Sequence, residues 1–203
     1  VEMAGDERTA ELMKEYAADT RIYYTHDASL SVWQNWLTPL EKARGEYFAY
    51  LFDDDLCAPE KIERMADALS MEDGVAFVTS HRCAIDEAGS VIADLAIDPL
   101  PVEETSRIPG ELAIYALLEK QAKFIGEFTT VLLPRSARET VREILTQEPA
   151  TVLPDVECWL RLLEKGDLLY LVDTLSFFRK HDGQAGAGPA AQIKGARAWA
   201  KLL

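Results

Sequence analysis

The sequence predicts an α/β fold in which a mostly parallel sheet has helices on both faces. Segments with strand-like and helix-like patterns alternate through the first half of the chain. The aromatic run at residues 47–52 is typical of a strand that is buried on both faces. Three aspartates, Asp53 to Asp55, follow directly, and Pro59 begins the next helix. Ligands of open α/β sheets bind beyond the carboxyl ends of the strands, so a site is expected here.

Apolar residues at helical spacing define the predicted helices. In residues 59–71, for example, Ile62, Met65 and Leu69 form one stripe. Gly166 ends the helix that precedes it. The predicted helices cover residues 6–18, 29–43, 59–71, 110–123, 135–145, 154–164 and a final segment after residue 191.

Short apolar or aromatic runs between turn residues define the predicted strands. These runs cover residues 21–25, 47–52, 75–80, 128–133, 167–173 and 175–180. A turn sequence from Asp86 to Gly89 lies in the middle of residues 83–92 and predicts a hairpin. Proline-rich residues 95–109 and glycine-rich residues 182–191 are expected to be loops beside a site.

Composition and charge limit the classes of function. The 203 residues are 48% hydrophobic, which is typical of a globular protein, and we expect one domain spanning residues 1–203. The 21 basic residues against 35 acidic residues give a net charge of −14. This excess of negative charge disfavours binding to nucleic acid or to anionic membranes. No apolar run is long enough to predict a membrane span.

The number and spacing of the cysteines predict the redox environment of the protein. Cys57, Cys83 and Cys158 are far apart and odd in number, so they predict neither a disulfide framework nor a zinc spacing. We therefore expect a reducing environment, the cytoplasm. A position at the periphery of the inner membrane is compatible with this expectation but does not follow from the cysteines. The chain starts at Val1 rather than at Met, and further residues are expected upstream.

The acidic cluster itself suggests a metal site. Adjacent carboxylates repel one another, and a divalent cation removes that cost. Oxygen ligands at such a site suit Mg²⁺ or Mn²⁺. The alternative interpretation is a solvated acidic turn, and the pattern alone leaves both open.

Six segments, taken in order, carry a resemblance to a known family. Their positions are residues 2–9, Asn35 with residues 43–47, residues 51–55 with Pro59, residues 125–127, residues 154–162, and residues 178–181 with Gln184. The first is similar to a degraded Asp-Asp-Gly-Ser-x-Asp-x-Thr segment, and the third to an Asp-x-Asp metal motif. In this order and spacing, the segments resemble the family-2 glycosyltransferases of the GT-A type.

The resemblance has two departures. The family's first strand, with its nucleotide contacts, has no counterpart here and is expected to lie upstream of Val1. Glu2 stands where the family usually has Asp, and Gly5 where it has Ser. Either change would weaken recognition of the base or ribose, or would mark a different nucleotide.

The resemblance implies an inverting, metal-dependent transfer of a sugar from a nucleotide-diphosphate sugar to a saccharide or other hydroxyl acceptor. It implies Mn²⁺ or Mg²⁺ as cofactor and, in many members, bacterial cell-surface polysaccharide as product. The implied roles are Asp155 as catalytic base; Glu2, Asn35, Asp53 and Asp54 for the nucleotide sugar; Asp55 and His181 for the metal; and Gly126, Glu127 and Glu157 on the acceptor side.

Three of these residues also have an ordinary structural interpretation. Asp155 lies in the first turn of a predicted helix, where a carboxylate offsets the helix dipole. Such a carboxylate is also suited to be a base, so the two interpretations are compatible. His181 is a single histidine at the end of a predicted strand, and Glu127 would also fit in a polar loop. Arg82, after residues 75–80, would be able to meet a phosphate or an acceptor carboxylate, but the favoured interpretation is a partner in a structural salt bridge.

Three other functions compete with glycosyl transfer as interpretations of the acidic motif. A haloacid-dehalogenase-like phosphatase also has Asp-x-Asp, but on its first strand, whereas a strand and two helices precede Asp53 here. An EF-hand is excluded because Leu56 to Pro59 replace the glycine turn that its loop requires. A non-catalytic GT-A-like binding domain stays open because the segment at residues 2–9 is degraded.

Overall fold

A computed structural model describes residues 7–94, 102–121, 123–146, 153–181 and 189–202. The expected Glu2 site, most of the residue 2–9 segment and parts of both predicted loops lie outside these residues. Seven α-helices lie in the described part: α1 Glu7–Glu15, α2 Val32–Lys42, α3 Lys61–Ser70, α4 Gly110–Lys120, α5 Arg138–Thr146, α6 Pro154–Leu163 and α7 Pro189–Leu202. The predicted helices are therefore present, with ends that differ by a few residues.

Within the same residues, the strands are β1 Tyr47–Phe48, β2 Leu56–Cys57, β3 Val75–Ile85, β4 Val91–Asp94, β5 Ser106–Ile108, β6 Leu133–Pro134 and β7 Asp167–Arg179. Strands β2, β7, β3 and β4 are adjacent in that order, and β5 pairs with the first half of β7. β1 pairs with β6. A bridge between Val78 and Leu132 joins this pair to β3 through two backbone hydrogen bonds of 2.9 and 3.2 Å.

The α/β class is confirmed, but the sheet is mixed rather than mostly parallel. β3 and β7 form the parallel pair at its centre. The other pairs among the described strands, β1–β6, β2–β7, β3–β4 and β5–β7, are antiparallel. β3 runs five residues beyond its predicted end and turns back through the Asp86–Ser90 turn into β4, which confirms the predicted hairpin. The antiparallel part of the described sheet consists of one local hairpin, β3–β4, and short strands that pair with partners distant in sequence.

The prediction of a buried strand at residues 47–52 is wrong. Only Tyr47 and Phe48 pair as a strand, and Leu51 is 59% exposed. The aromatic side chains of this segment pack against other aromatic rings, and the backbone after Phe48 does not continue a hydrogen-bonded strand pair. Phe52 stacks on Trp36 of α2 at 4.8 Å between ring centroids, and the Tyr50 hydroxyl donates to the Trp36 carbonyl at 3.0 Å. The segment leaves the sheet after Phe48, so the three aspartates that follow do not lie at the end of a continuous strand.

Three other strand predictions need correction. Residues 21–25 form no strand. Residues 128–133 contain a 3-10 turn at Phe128–Thr130, and only Leu133 belongs to β6. The two strands predicted at 167–173 and 175–180 are one strand, β7, in which the pairing with β3 shifts register near Thr174. The sequence pattern breaks at the place where the pairing of one continuous strand is irregular, so it predicts two strands there.

Helices cover both faces of the central strands, as predicted. Phe77 of β3 packs into a core that includes Phe128 and Trp159 together with residues of α4, α5 and α6. Val78, the next residue, points the other way into a second core with Met65 and Leu69 of α3. Successive side chains of a strand alternate between faces, so β3 anchors both layers. Among the described helices, none combines the length and the hydropathy needed to cross a membrane.

Candidate active site

The acidic turn connects the aromatic run to β2. Asp53 is exposed, Asp54 is half-buried, and Asp55 is only 6% exposed. The Asp55 amide donates to the Phe52 carbonyl at 3.2 Å, which closes the turn. The three carboxylates therefore differ in environment although they are adjacent in sequence.

Asp55 is a buried carboxylate whose ionised form is disfavoured. Burial raises the pKa of Asp55 above its ordinary value. Hydrogen bonds from the Thr129 hydroxyl and from the Arg179 amide, the latter at 3.2 Å, act in the opposite direction but do not outweigh burial. The negative charges of Asp54 and Glu127 raise this pKa further. A cation at this turn would offset the same cost.

The end of β7 lies directly beside the acidic turn. The Arg179 guanidinium donates from Nε to the Asp54 carbonyl at 2.8 Å, and from Nη1 to the Asp86 carbonyl at 2.7 Å. Two residues on, His181 Nε2 lies 3.3 Å from Asp54 Oδ2. The family resemblance pairs His181 with Asp55 as metal ligands, whereas in the structure His181 contacts the neighbouring Asp54. Imidazole and carboxylate thus share one surface although 127 positions separate them.

A buried lysine lies close to the acidic turn. Lys61, the first residue of α3, is 2% exposed, and its ammonium donates to the Thr129 carbonyl and to Ser176 Oγ, the latter at 2.9 Å. Burial lowers the pKa of Lys61 to about 8, while the charge of Asp55 acts to raise it. The amine therefore ties α3, β7 and the Phe128–Thr130 turn together close to Asp55.

The predicted acceptor-side segment, residues 125–127, follows α4. Gly126 has a backbone φ of +96°, and a Cβ there would lie 2.2 Å from Arg82 Nη1 and 2.4 Å from Thr130 Oγ1. Glycine is therefore required by both conformation and space. Glu127 Oε2 lies 3.0 Å from the buried Arg82 Nη1, which confirms the salt bridge predicted for this arginine.

Asp155 lies in the first turn of α6, as predicted, and is 5% exposed. Its Oδ2 accepts from Lys123 Nζ at 2.6 Å, and its Oδ1 accepts from the Val156 amide at 3.0 Å. One turn further along, Trp159 Nε1 donates to the Gly126 carbonyl at 3.0 Å. The helix that carries Asp155 is thus fixed to the Gly126 segment.

The segment of residues 123–129 contacts Asp55 near one end and Asp155 near the other. Thr129 hydrogen-bonds Asp55 and accepts from the Phe52 amide at 3.3 Å. On the other side, Arg82 Nη2 donates to the Lys123 carbonyl at 2.8 Å, and Lys123 pairs with Asp155. Residues 123–129 therefore contact both the acidic turn and the carboxylate expected to be the base.

The remaining predicted residues occupy different positions. Asn35 is half-buried on α2, and its Oδ1 is buried without a hydrogen-bond partner among the described residues. Glu157 pairs with Arg161 of the same helix at 2.6 Å and does not share the Asp155 contacts. Asp53 forms the exposed corner of the acidic turn.

Sequence reasoning missed Lys61, Lys123 and Thr129. Their partners lie 32 to 115 residues away, and no local pattern marks such contacts. A lysine at the start of an amphipathic helix looks like a solvated residue. The signal that the sequence offers for Lys61 is its position six residues after the third aspartate, which places the start of the helix close to the acidic turn.

The mixed sheet with helices on both faces and an acidic turn at its edge defines an α/β domain with a site beside the sheet. The family model described as Glycosyl transferase family 2 matches residues 4–132. The chain therefore belongs to glycosyl transferase family 2, whose domains have the GT-A fold. None of the curated proteins matches the chain significantly.

Proposed function

We propose that this domain transfers a sugar from a nucleotide-diphosphate sugar to a hydroxyl acceptor, with inversion at the anomeric carbon and with Mn²⁺ or Mg²⁺. The observation that supports this most is the 3.3 Å approach of His181 to Asp54 beside the buried Asp55. Residues 123–129, which contact both the acidic turn and Asp155, connect a candidate base to that turn.

The residues fit a hard or borderline divalent cation. Asp55 and His181 would hold it, because they offer carboxylate oxygens and one imidazole nitrogen, and Asp54, whose Oδ2 lies 3.3 Å from His181 Nε2, would contact a metal-bound water. Mg²⁺ and Mn²⁺ need only one or two protein carboxylates when a diphosphate supplies further oxygens, and an imidazole favours Mn²⁺. When bound, the cation neutralises charge that develops on the leaving diphosphate. Burial raises the pKa of Asp55, and a bound cation would offset the cost of ionising this carboxylate.

Asp155 is assigned the role of general base. Its carboxylate would accept the proton of the acceptor hydroxyl as that oxygen attacks the anomeric carbon from the face opposite the diphosphate. A single displacement of this kind inverts the configuration. Lys123 and the Val156 amide orient the carboxylate, and each carboxylate oxygen keeps a second lone pair for the incoming hydroxyl.

The residues around Asp155 and the acidic turn are assigned to the two substrates. Gly126 and Glu127 border the acceptor, and the Arg82 ion pair holds Glu127 in place. Asp53 and Asp54 contact the ribose or metal-bound water. Asn35 and Glu2 remain assigned to the nucleotide by the family resemblance, and Glu157 is the second choice of base.

A non-catalytic GT-A-like domain is the second candidate. The observation that favours it is the 2.6 Å ion pair of Asp155 with Lys123, because a carboxylate that is already paired serves a structural purpose as well. In that case nucleotide binding would persist without transfer, or neither would occur.

A calorimetric titration with UDP or GDP, each with Mn²⁺, tests the proposal. We expect binding that depends on the metal and is lost in Asp55→Asn, while Asp73→Asn, an exposed aspartate outside the site, binds normally. Asp155→Asn should bind the donor like the unmodified protein but lose transfer to the acceptor. Full transfer by Asp155→Asn would remove that residue from the mechanism, and absence of heat with either nucleotide would favour the non-catalytic domain.

A further inference from the structure

The β3–β4 hairpin carries a second group of donor atoms, separate from the acidic turn. His81 and Cys83 are two residues apart on β3, so their side chains leave the same face of the strand. Asp94 on β4 is the direct register partner of Cys83. The imidazole, thiol and carboxylate ligand atoms all lie within 4.8 Å of one another, and His81 Nε2 is 3.0 Å from Asp94 Oδ1.

The three side chains are accessible to an ion. His81 and Cys83 are half-buried, and the side chain of Asp94 is 64% exposed. Cys83 is a free thiol. None of the three has a role in the proposed transfer reaction, so the group has no other chemical assignment.

The donor set determines the metal that it would prefer. A thiolate and an imidazole select Zn²⁺ over Mg²⁺ or Mn²⁺, which prefer oxygen ligands. We propose that His81, Cys83 and Asp94 form a Zn²⁺ site with three protein ligands and a fourth position for water or another donor. Zinc bonds of about 2.0–2.3 Å need ligand atoms roughly 3.3–3.8 Å apart, so side-chain adjustment of about 1 Å is enough. Binding would replace the contact of His81 with Asp94 and release the thiol proton to solvent.

The position of the group explains what such an ion would do. The hairpin is closed at one end by the Asp86–Ser90 turn, and Cys83–Asp94 is the described pair farthest from that turn. A metal there would join β3 to β4 at the pair farthest from the turn. The turn at the other end accepts the Arg179 guanidinium, which also bonds the Asp54 carbonyl. Zinc would therefore stabilise a hairpin that contacts the acidic turn.

Cobalt substitution tests the site directly in the full chain after removal of metal by a chelator. Co²⁺ should give a thiolate-to-metal absorption band together with tetrahedral d–d bands, and one equivalent of Zn²⁺ should displace it. Cys83→Ser should abolish the thiolate band and weaken Zn²⁺ binding by at least about tenfold, as should His81→Gln. Cys57→Ser, which changes an exposed cysteine outside the group, should leave the band and the affinity unchanged.

Two further measurements guard against misfolding and against confusion with the transferase site. Asp94→Asn changes one exposed side chain, and it should also weaken Zn²⁺ binding while the circular dichroism spectrum stays unchanged. Asp55→Asn should retain the cobalt spectrum, because the proposal does not depend on the acidic turn. A thiolate band that survives in Cys83→Ser, or an absence of stoichiometric Zn²⁺ binding, would overturn the proposed site.

Discussion

His181 Nε2 and Asp54 Oδ2 lie 3.3 Å apart, although the two residues are separated by most of the chain. The contact forms because β7 runs past β2 and ends beside the acidic turn, where the Arg179 amide also donates to Asp55. The geometry makes a mixed nitrogen and oxygen donor set out of residues that no local motif joins. Five expected outcomes follow from this site and its supports.

His181→Ala should weaken nucleotide binding in the presence of Mn²⁺ by about tenfold or more, and in the presence of Mg²⁺ by less. The physical reason is that imidazole is a better ligand for Mn²⁺ than for Mg²⁺. Calorimetry with UDP or GDP and each metal measures the difference. His26→Ala, a histidine to which no role is assigned, is the control. Equal losses with the two metals would mean that His181 does not ligate the ion.

Lys123→Met should destabilise the protein by about 2 kcal/mol, because it leaves the buried Asp155 carboxylate without its cation. The value is below that of a fully buried pair since the Lys123 side chain is partly exposed. The double variant Lys123→Met with Asp155→Asn should recover most of the loss. Urea unfolding of the single and double variants measures this coupling. Additive effects of the two substitutions would show that the pair is energetically unimportant.

Asp55→Asn should raise the melting temperature of the metal-free protein at pH 7 while it removes metal-dependent nucleotide binding. The folded-state pKa of Asp55 is raised by burial, so the unfolded chain ionises first as the pH increases. Stability is therefore lost as the pH rises above the ordinary value of 3.8, and the whole cost is present at neutral pH. The stabilisation should shrink as the pH falls toward 4. Differential scanning calorimetry at pH 4 to 7 checks the trend, and a variant less stable than the unmodified protein at pH 7 contradicts it.

Lys61→Met should remove a pH-dependent part of the stability. Burial lowers the pKa of Lys61 to about 8 from its ordinary 10.5, so between these values only the unfolded chain keeps the proton. The free energy of unfolding should then rise with pH by up to about 1.4 kcal/mol per pH unit in the unmodified protein, and the variant should lack this rise.

The Lys61 effect is read from the difference between the two proteins in urea unfolding at pH 7 to 9.5. Burial raises the pKa of Cys158 above its ordinary value of 9.0, which lowers stability near the top of this range but does so in both proteins. A difference that does not change with pH would mean that the Lys61 ammonium is not disfavoured in the folded state.

Gly126→Ala should destabilise the protein by about 2 kcal/mol or more, because the new methyl group would displace Arg82 and Thr130 in addition to straining the backbone. Gly89→Ala separates the two contributions. Gly89 has a similar φ of +87°, but no atom lies within 4 Å of a Cβ there, so only the strain of about 1 kcal/mol is expected. Equal losses at the two positions in chemical denaturation would show that the contacts of Gly126 add nothing.

The sequence predicted the helices well and the sheet less well. Apolar stripes such as that of α3 repeat within a few residues, so the buried face of a helix is visible locally. The aromatic run at residues 47–52 has the composition of a buried strand, yet its rings pack on Trp36 and Phe128 outside a ladder. Strand pairing depends on partners that are distant in sequence, and composition does not name those partners.

The chain by itself determined the α/β class, the family and the candidate residues Asp53 to Asp55, Gly126, Asp155 and His181, because local patterns and motif order carry that information. Only the tertiary structure decided which partners these residues meet: Asp54 approaches His181, and Asp155 pairs with Lys123. It also decided that Lys61 is buried and that three residues of one hairpin form a donor group. The physical reason is that burial, ion pairing and donor convergence depend on distances between segments, which the folded backbone fixes and the sequence pattern does not express.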